Sequence, residues 1–155
     1  MQRIVLFLIV SAASLSTLYA QCDDFHLSRN CRPSPHEAKD MNLSGQSRST
    51  LLEARNTYDL EMMLFGRMDY KMFFCTQRKF YPIHFIITDI ESGEVLFDNS
   101  TDDYVEALGF STDKTTRINV QVTLIAEDAE FRDIRENLGC IGITVLFRRT
   151  PRLGF

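Results

Sequence analysis

From Ser49 onward the chain alternates between apolar and polar residues with a period of two. In "RINVQVTLIA" (117–126), Ile118, Val120, Val122 and Leu124 share one face, while Arg117, Asn119, Gln121 and Thr123 share the other. That pattern predicts a strand with one face in water. "TYDLEMML" (57–64) alternates likewise, with Tyr58, Leu60, Met62 and Leu64 set against Asp59 and Glu61. "IHFIITDI" (83–90) is apolar on both parities, as a central strand would be, and "ESGE" (91–94) turns it into "EVLFD". The stretch 83–98 therefore reads as a hairpin. Further strands are expected over 49–54, 70–75, 104–111 and 140–149. About eight short strands with little helix between them predict an all-β fold, a single antiparallel β-sandwich or jelly roll.

Two stretches break the period. "SPHE" (34–37) offers Ser34 as N-cap, Pro35 at the first helical position and Glu37 to complete a capping box, so a short N-terminal helix is expected near 35–41. "AEDAEFRDIRENLG" (126–139) spaces Phe131, Ile134 and Leu138 helically, with acidic residues first and Gly139 last, and predicts a short helix before the last strand.

The N-terminus, "MQRIVLFLIVSAASLSTLYAQC", places Arg3 before an apolar run that fades into small residues. It reads as a signal peptide over 1–20, too short in its apolar part to be a good membrane span. Gln21, where a lipoprotein would carry a small residue before its cysteine, favours a soluble exported chain. The expected organisation is a signal peptide (1–20), an N-terminal arm with a short helix (21–48) and a β-sandwich domain (49–155), with no transmembrane segment after processing. The whole chain carries a formal charge of −4, and loss of Arg3 takes it one unit lower. A nucleic-acid binder would show a basic excess instead.

All four cysteines (Cys22, Cys31, Cys75, Cys140) follow the leader, and an even count in an exported domain reads as two disulfides with three possible connectivities. Proximity favours Cys22–Cys31, leaving Cys75–Cys140. By strand parity, Cys75 and Cys140 point away from the main core, which makes their pair a clasp on the outer face of the sheet, beneath the arm. A zinc site from Cys75, Cys140 and a histidine is the alternative, but the spacing matches no finger.

Catalytic signatures are missing: there is no G-x-S-x-G, H-E-x-x-H, glycine-rich phosphate loop or C-x-x-C. No cofactor is expected. In "DNSTDD" (98–103), Asp98, Asp102 and Asp103 are candidate metal ligands, but the EF-hand spacing is absent and a solvated turn explains the loop. His84, within a strand, reads as a hydrogen-bonded structural residue. Sequons begin at Asn42 and Asn99. "TQRKFYP" (76–82) sets Arg78 and Lys79 beside Phe80 and Tyr81, the composition of an interface patch, against the alternative that its aromatics cap one end of the sandwich.

The order of parts, with "YDLEMMLFGRMDYKMFFC", "GEVLFDN" and "GCIGITVLF", resembles small uncharacterised secreted bacterial proteins with a strand ending in F-C and a late G-C-x-G. More distantly it looks like the pre-peptidase C-terminal and GOLD domains, both β-sandwiches. The resemblance covers roughly 49–149, and it implies a non-catalytic module that binds or accompanies other secreted components. Unlike the pre-peptidase case, no attached protease domain is expected, nor the coiled coil and membrane anchor of GOLD cargo receptors. The expected function is an exported module, periplasmic or extracellular, that binds a protein or glycan partner. The rivals are a small metal- or ligand-dependent enzyme with a loop-built site, and a purely structural envelope component.

Overall fold

The computed structural model describes residues 22–133 and 135–150. The signal peptide expected over 1–20 lies outside the described residues, as do Ile134 and residues 151–155. Among the described residues nine strands are formed: β1 (Asn42–Leu43), β2 (Arg48–Glu53), β3 (Thr57–Leu64), β4 (Met68–Thr76), β5 (Ile83–Asp89), β6 (Val95–Asp98), β7 (Ala107–Thr112), β8 (Thr116–Leu124) and β9 (Leu138–Arg149). All pairings are antiparallel. One sheet runs β1–β9–β4–β7, with β2 also pairing to β9, and the other runs β3–β8–β5–β6. The fold is an antiparallel β-sandwich, with the two-residue β1 added to the strands the period predicts.

Alternation decides which side chains meet between the layers. Tyr70, Met72 and Phe74 of β4 and Ile141, Ile143 and Val145 of β9 are buried on one side. Facing them are Met62 and Leu64 of β3, Phe85 and Ile87 of β5, and Ile118, Val120 and Val122 of β8. Phe74 and Phe85 stack with ring centroids 3.8 Å apart, joining the layers at their centre. The Tyr70 hydroxyl is not orphaned by its burial, because it accepts from the Phe65 N–H at 2.8 Å.

β9 is buried on both faces from Gly139 to Leu146. Its inner face meets the core, and its outer face lies beneath the N-terminal arm. There the short turn Phe25–Leu27 packs against β9 and β2. The His26 N–H donates to Ser49 Oγ at 2.8 Å, and Thr144 Oγ1 donates to the His26 carbonyl at 2.9 Å. Two disulfides fasten this arm, Cys22–Cys140 to β9 and Cys31–Cys75 to β4.

That pairing corrects the expected Cys22–Cys31 and Cys75–Cys140 bonds. β4 and β9 do pair antiparallel, but the register sets Cys75 opposite Gly142 rather than Cys140. Cys140 lies two residues further along, a diagonal of about 7–8 Å between Cα atoms, which is too long for a disulfide. Each thiol therefore takes its partner from the arm above, with Cα atoms 5.3 Å apart in both bonds. The separations are 118 and 44 residues. Taken singly, those loops are worth about 5 and about 4 kcal/mol on the chain-entropy relation.

Among the described residues neither expected helix is formed. Around 34–41 the capping box is made, with the Ser34 N–H donating to Glu37 Oε2 and the Glu37 N–H to Ser34 Oγ. The chain behind it continues only as turns, and Asp40 adopts φ 59°. In 126–139 the Asp133 carboxylate accepts the N–H groups of Arg135 and Glu136, and Glu136 Oε2 accepts that of Arg132. Acidic side chains thus take backbone donors that a helix would need. Ala126 sits at φ 50°, and Leu138 already belongs to β9.

A Cβ on Gly142 would lie 2.6 Å from Cys75 Sγ and 2.9 Å from His26 Cα, whereas one on Gly45 would meet nothing within 4 Å. Gly142→Ala is expected to destabilise by about 1–3 kcal/mol in urea denaturation, the usual range for overpacking, while Gly45→Ala shifts the midpoint little.

The 89–94 turn supplies a second check. Thr116 Oγ1 and the Ser92 N–H bond the Asp89 carboxyl and hold its pKa at about 2, below the ordinary 3.8. A depressed folded value means that the contribution is complete above about 3.8 and is lost as pH falls through about 2. Asp89→Asn should remove that acid-side loss, read as a flatter stability-versus-pH curve below pH about 4.

Candidate functional site

The connection between β4 and β5 turns two ways at once. Phe80 is 1% exposed and belongs to the core, stacked on Phe131 at 5.9 Å. A Cβ on Gly139 would lie 2.6 Å from its ring, so the glycine before Cys140 gives Phe80 its space. Lys79 lies over the Phe80 ring with Nζ 4.8 Å from the centroid, and donates to the Glu136 carbonyl at 2.7 Å. The interface patch read from "TQRKFYP" is thereby divided: Phe80 caps the end of the sandwich from inside, while Arg78 and Lys79 remain exposed. Tyr81 is half-buried, and its peptide bond to Pro82 is cis. Burial pushes the Tyr81 phenol above its ordinary value, the N–H of Thr76 opposes this, and the nearby Glu106 carboxylate adds to the rise.

Opposite this connection stands the loop before β7. Asn99 is fully buried, and its side chain organises the loop from beneath. Its Oδ1 accepts the Phe85 N–H at 2.8 Å, and its Nδ2 donates to the carbonyls of Ile83 at 2.9 Å and Val105 at 3.0 Å. Above it, Asp103 and Tyr104 both hold left-handed backbone, φ 47° and 54°. Successive non-glycine residues there carry strain that the surroundings must sustain. The strand expected from 104 accordingly begins at Ala107. Tyr104 is 36% exposed and meets His84 edge-on at 6.0 Å.

The two loops enclose an open groove of about 520 Å³. Arg78, Lys79, Tyr81 and Pro82 line one side, Asp103, Tyr104 and Glu106 the other, and Asp128 and Ala129 close it. A second groove of about 600 Å³ runs from Asp103, Tyr104 and Glu106 to the arm at Arg32 and Glu37, alongside the Cys31–Cys75 bond. Tyr104 is the ridge between them. Cationic, anionic and aromatic groups alternate across this end, which suits recognition of a partner's mixed surface.

The other candidate residues have structural employment. Cys75 and Cys140 are both in disulfides, so the zinc alternative is set aside. Asp98 Oδ1 accepts from His84 Nε2 at 2.9 Å and from the N–H of Ser100 at 2.9 Å. Hydrogen bonds from the Ser100 hydroxyl and N–H, then from His84, lower the Asp98 pKa. Among the described residues no group of three or more His, Cys, Asp or Glu side chains is placed to hold a metal ion, so Asp98, Asp102 and Asp103 do not form such a cluster. Asn42 is exposed in β1, whereas Asn99 has no free amide to offer a glycan. Tyr104 and Glu106, which line both grooves, were not among the candidates read from the sequence because "YVEALGFS" reads as continuous strand. The only signal was the pair Asp102-Asp103 before the tyrosine, a residue type that tolerates left-handed backbone.

No family model matches the chain. No curated protein matches it either. Among solved structures it is similar to PliG of Aeromonas hydrophila, a periplasmic lysozyme inhibitor of g-type lysozyme, with a TM-score of 0.47 and 10% identity. That match covers 72% of this chain and 90% of PliG. The likeness to pre-peptidase C-terminal and GOLD domains expected from the sequence is not shown by these comparisons.

Asn99→Ala should cost about 2–4 kcal/mol, since it leaves buried Phe85, Ile83 and Val105 backbone groups unpaired. Asn42→Gln on the exposed strand should leave the thermal midpoint unchanged. Equal midpoints for the two variants would refute the anchoring role of Asn99.

Proposed function

We propose that the chain is an exported, non-catalytic β-sandwich module that binds a protein or glycan partner, in the periplasm or outside the cell, through the loop end centred on Tyr104. Four cysteines joined in two disulfides support an oxidising compartment. The observation that carries the binding reading is Tyr104 itself. Strained backbone holds an aromatic ring out between two charged grooves, over the anchored Asn99. Rigid, partly exposed aromatics of this kind are the usual anchors of recognition, and neighbouring Arg78 and Glu106 supply directional polar contacts.

The test is cross-linking in native envelope and medium fractions, followed by affinity measurement with the captured partner. Tyr104→Ala and Arg78→Ala should each weaken binding about tenfold or more, as expected of residues central to an interface, without altering the denaturation midpoint. Phe80→Ala should instead lower stability by about 3–5 kcal/mol, because it empties a core site. Undiminished binding by both surface variants would overturn the assignment of this end as the interface.

A further inference from the structure

Among the described residues the sandwich has four lateral edges, and three are blocked. β3 carries Asp59 and Glu61, and the Gln46 amide clamps both the N–H and the carbonyl of Met63, at 2.9 and 2.8 Å. β6 has only four residues. The β1–β2 edge is broken by the 44–47 turn. Such devices keep strands from pairing with other chains.

β7 has none of them. The carbonyls of Glu106 and Thr112 point toward β4, accepting from Phe74 and Arg67. By alternation, the N–H and carbonyl groups of Ala107, Gly109 and Ser111 point outward. Among the described residues no strand pairs with that edge. The side chains at these three exposed positions are small and uncharged, and offer little obstacle to an approaching backbone. The half-buried Leu108 and Phe110 lie between them, covered by the core on one side only.

We propose that β7 is a self-association surface, through which two copies of this chain pair antiparallel about a twofold axis at Phe110. The charges at its ends select this occupant and register. Glu106 precedes the strand and Lys114 follows it, and both are exposed. An axis at Phe110 sets Glu106 of each copy against Lys114 of the other, Gly109 against Ser111, and the two Phe110 rings side by side. Opposite charges and aromatic pairs across antiparallel strands are favourable, and a symmetric interface gains each contact twice. The two five-stranded sheets become one continuous sheet.

Sedimentation equilibrium of the disulfide-bonded chain over a wide concentration range reads the association directly. The parent is expected to form a dimer. Gly109→Pro, which removes an N–H facing away from β4, should leave the circular dichroism and melting midpoint intact while abolishing association. Glu106→Lys and Lys114→Glu should each weaken it about tenfold, through two like-charge pairs, and the double exchange should restore it. A parent that stays monomeric throughout overturns the proposal, leaving the edge for a different protein. A dimer that survives Gly109→Pro, or a double exchange that fails to restore association, also overturns it. Partner capture through Tyr104 is read separately, with Tyr104→Ala, so failure of either reading is seen independently of the other.

Discussion

The close approach of the N-terminal arm to Gly142 is the constraint from which much of the rest follows. At that point a peptide turn, two sulfur atoms and a strand occupy space that a single methyl group would fill. The absent side chain lets the arm lie on the sheet. The arm in turn covers the outer face of β9 and lets this strand be buried on both sides. Burying both faces of a central strand is ordinary in a parallel sheet, but in an antiparallel sandwich it needs an added layer. Here the layer is a short irregular segment whose turn Phe25–Leu27 holds no fully buried residue. Two covalent bonds, each to a different central strand, supply what packing does not.

Much of the architecture was legible because the strands follow a period of two. The expected span of β3 matches the observed one, and the 83–98 hairpin forms as the turn residues predict. The parity of Cys75 and Cys140 placed both thiols outside the main core. Their partners were not legible, because proximity along the chain is a poor guide once a strand register intervenes. The displacement of Cys140 by two residues from the position facing Cys75 decides the matter. Segment 126–139 misled for a different reason. Acidic residues in a helix's first turn and acidic residues that tie off backbone donors look alike in sequence, and Asp133 does the latter.

The loop end shows how buried chemistry shapes a surface. Phe80 and Asn99 are invisible from outside, yet one fills the end of the core and the other holds three backbone groups in place. Above them, Tyr81 and Tyr104 are partly exposed, and the charged residues separate into two walls. Composition alone marked "TQRKFYP" as unusual without saying which aromatic faced inward. It gave no sign that its counterpart would be a tyrosine in left-handed backbone some twenty residues later. Asp103 and Glu106 border both grooves, and the arm that is clamped through Cys31 forms one wall of the second. The clamp and that groove are therefore coupled: loosening the arm would dismantle the second groove.

Proteolysis of the unreduced protein, followed by mass spectrometry of the linked peptides, tests the clamp most directly. The predicted products are a Cys22 peptide joined to the Cys140 peptide and a Cys31 peptide joined to the Cys75 peptide. A Cys22–Cys31 link, which would close the arm on itself and leave it unattached to either strand, would contradict the structure at its foundation.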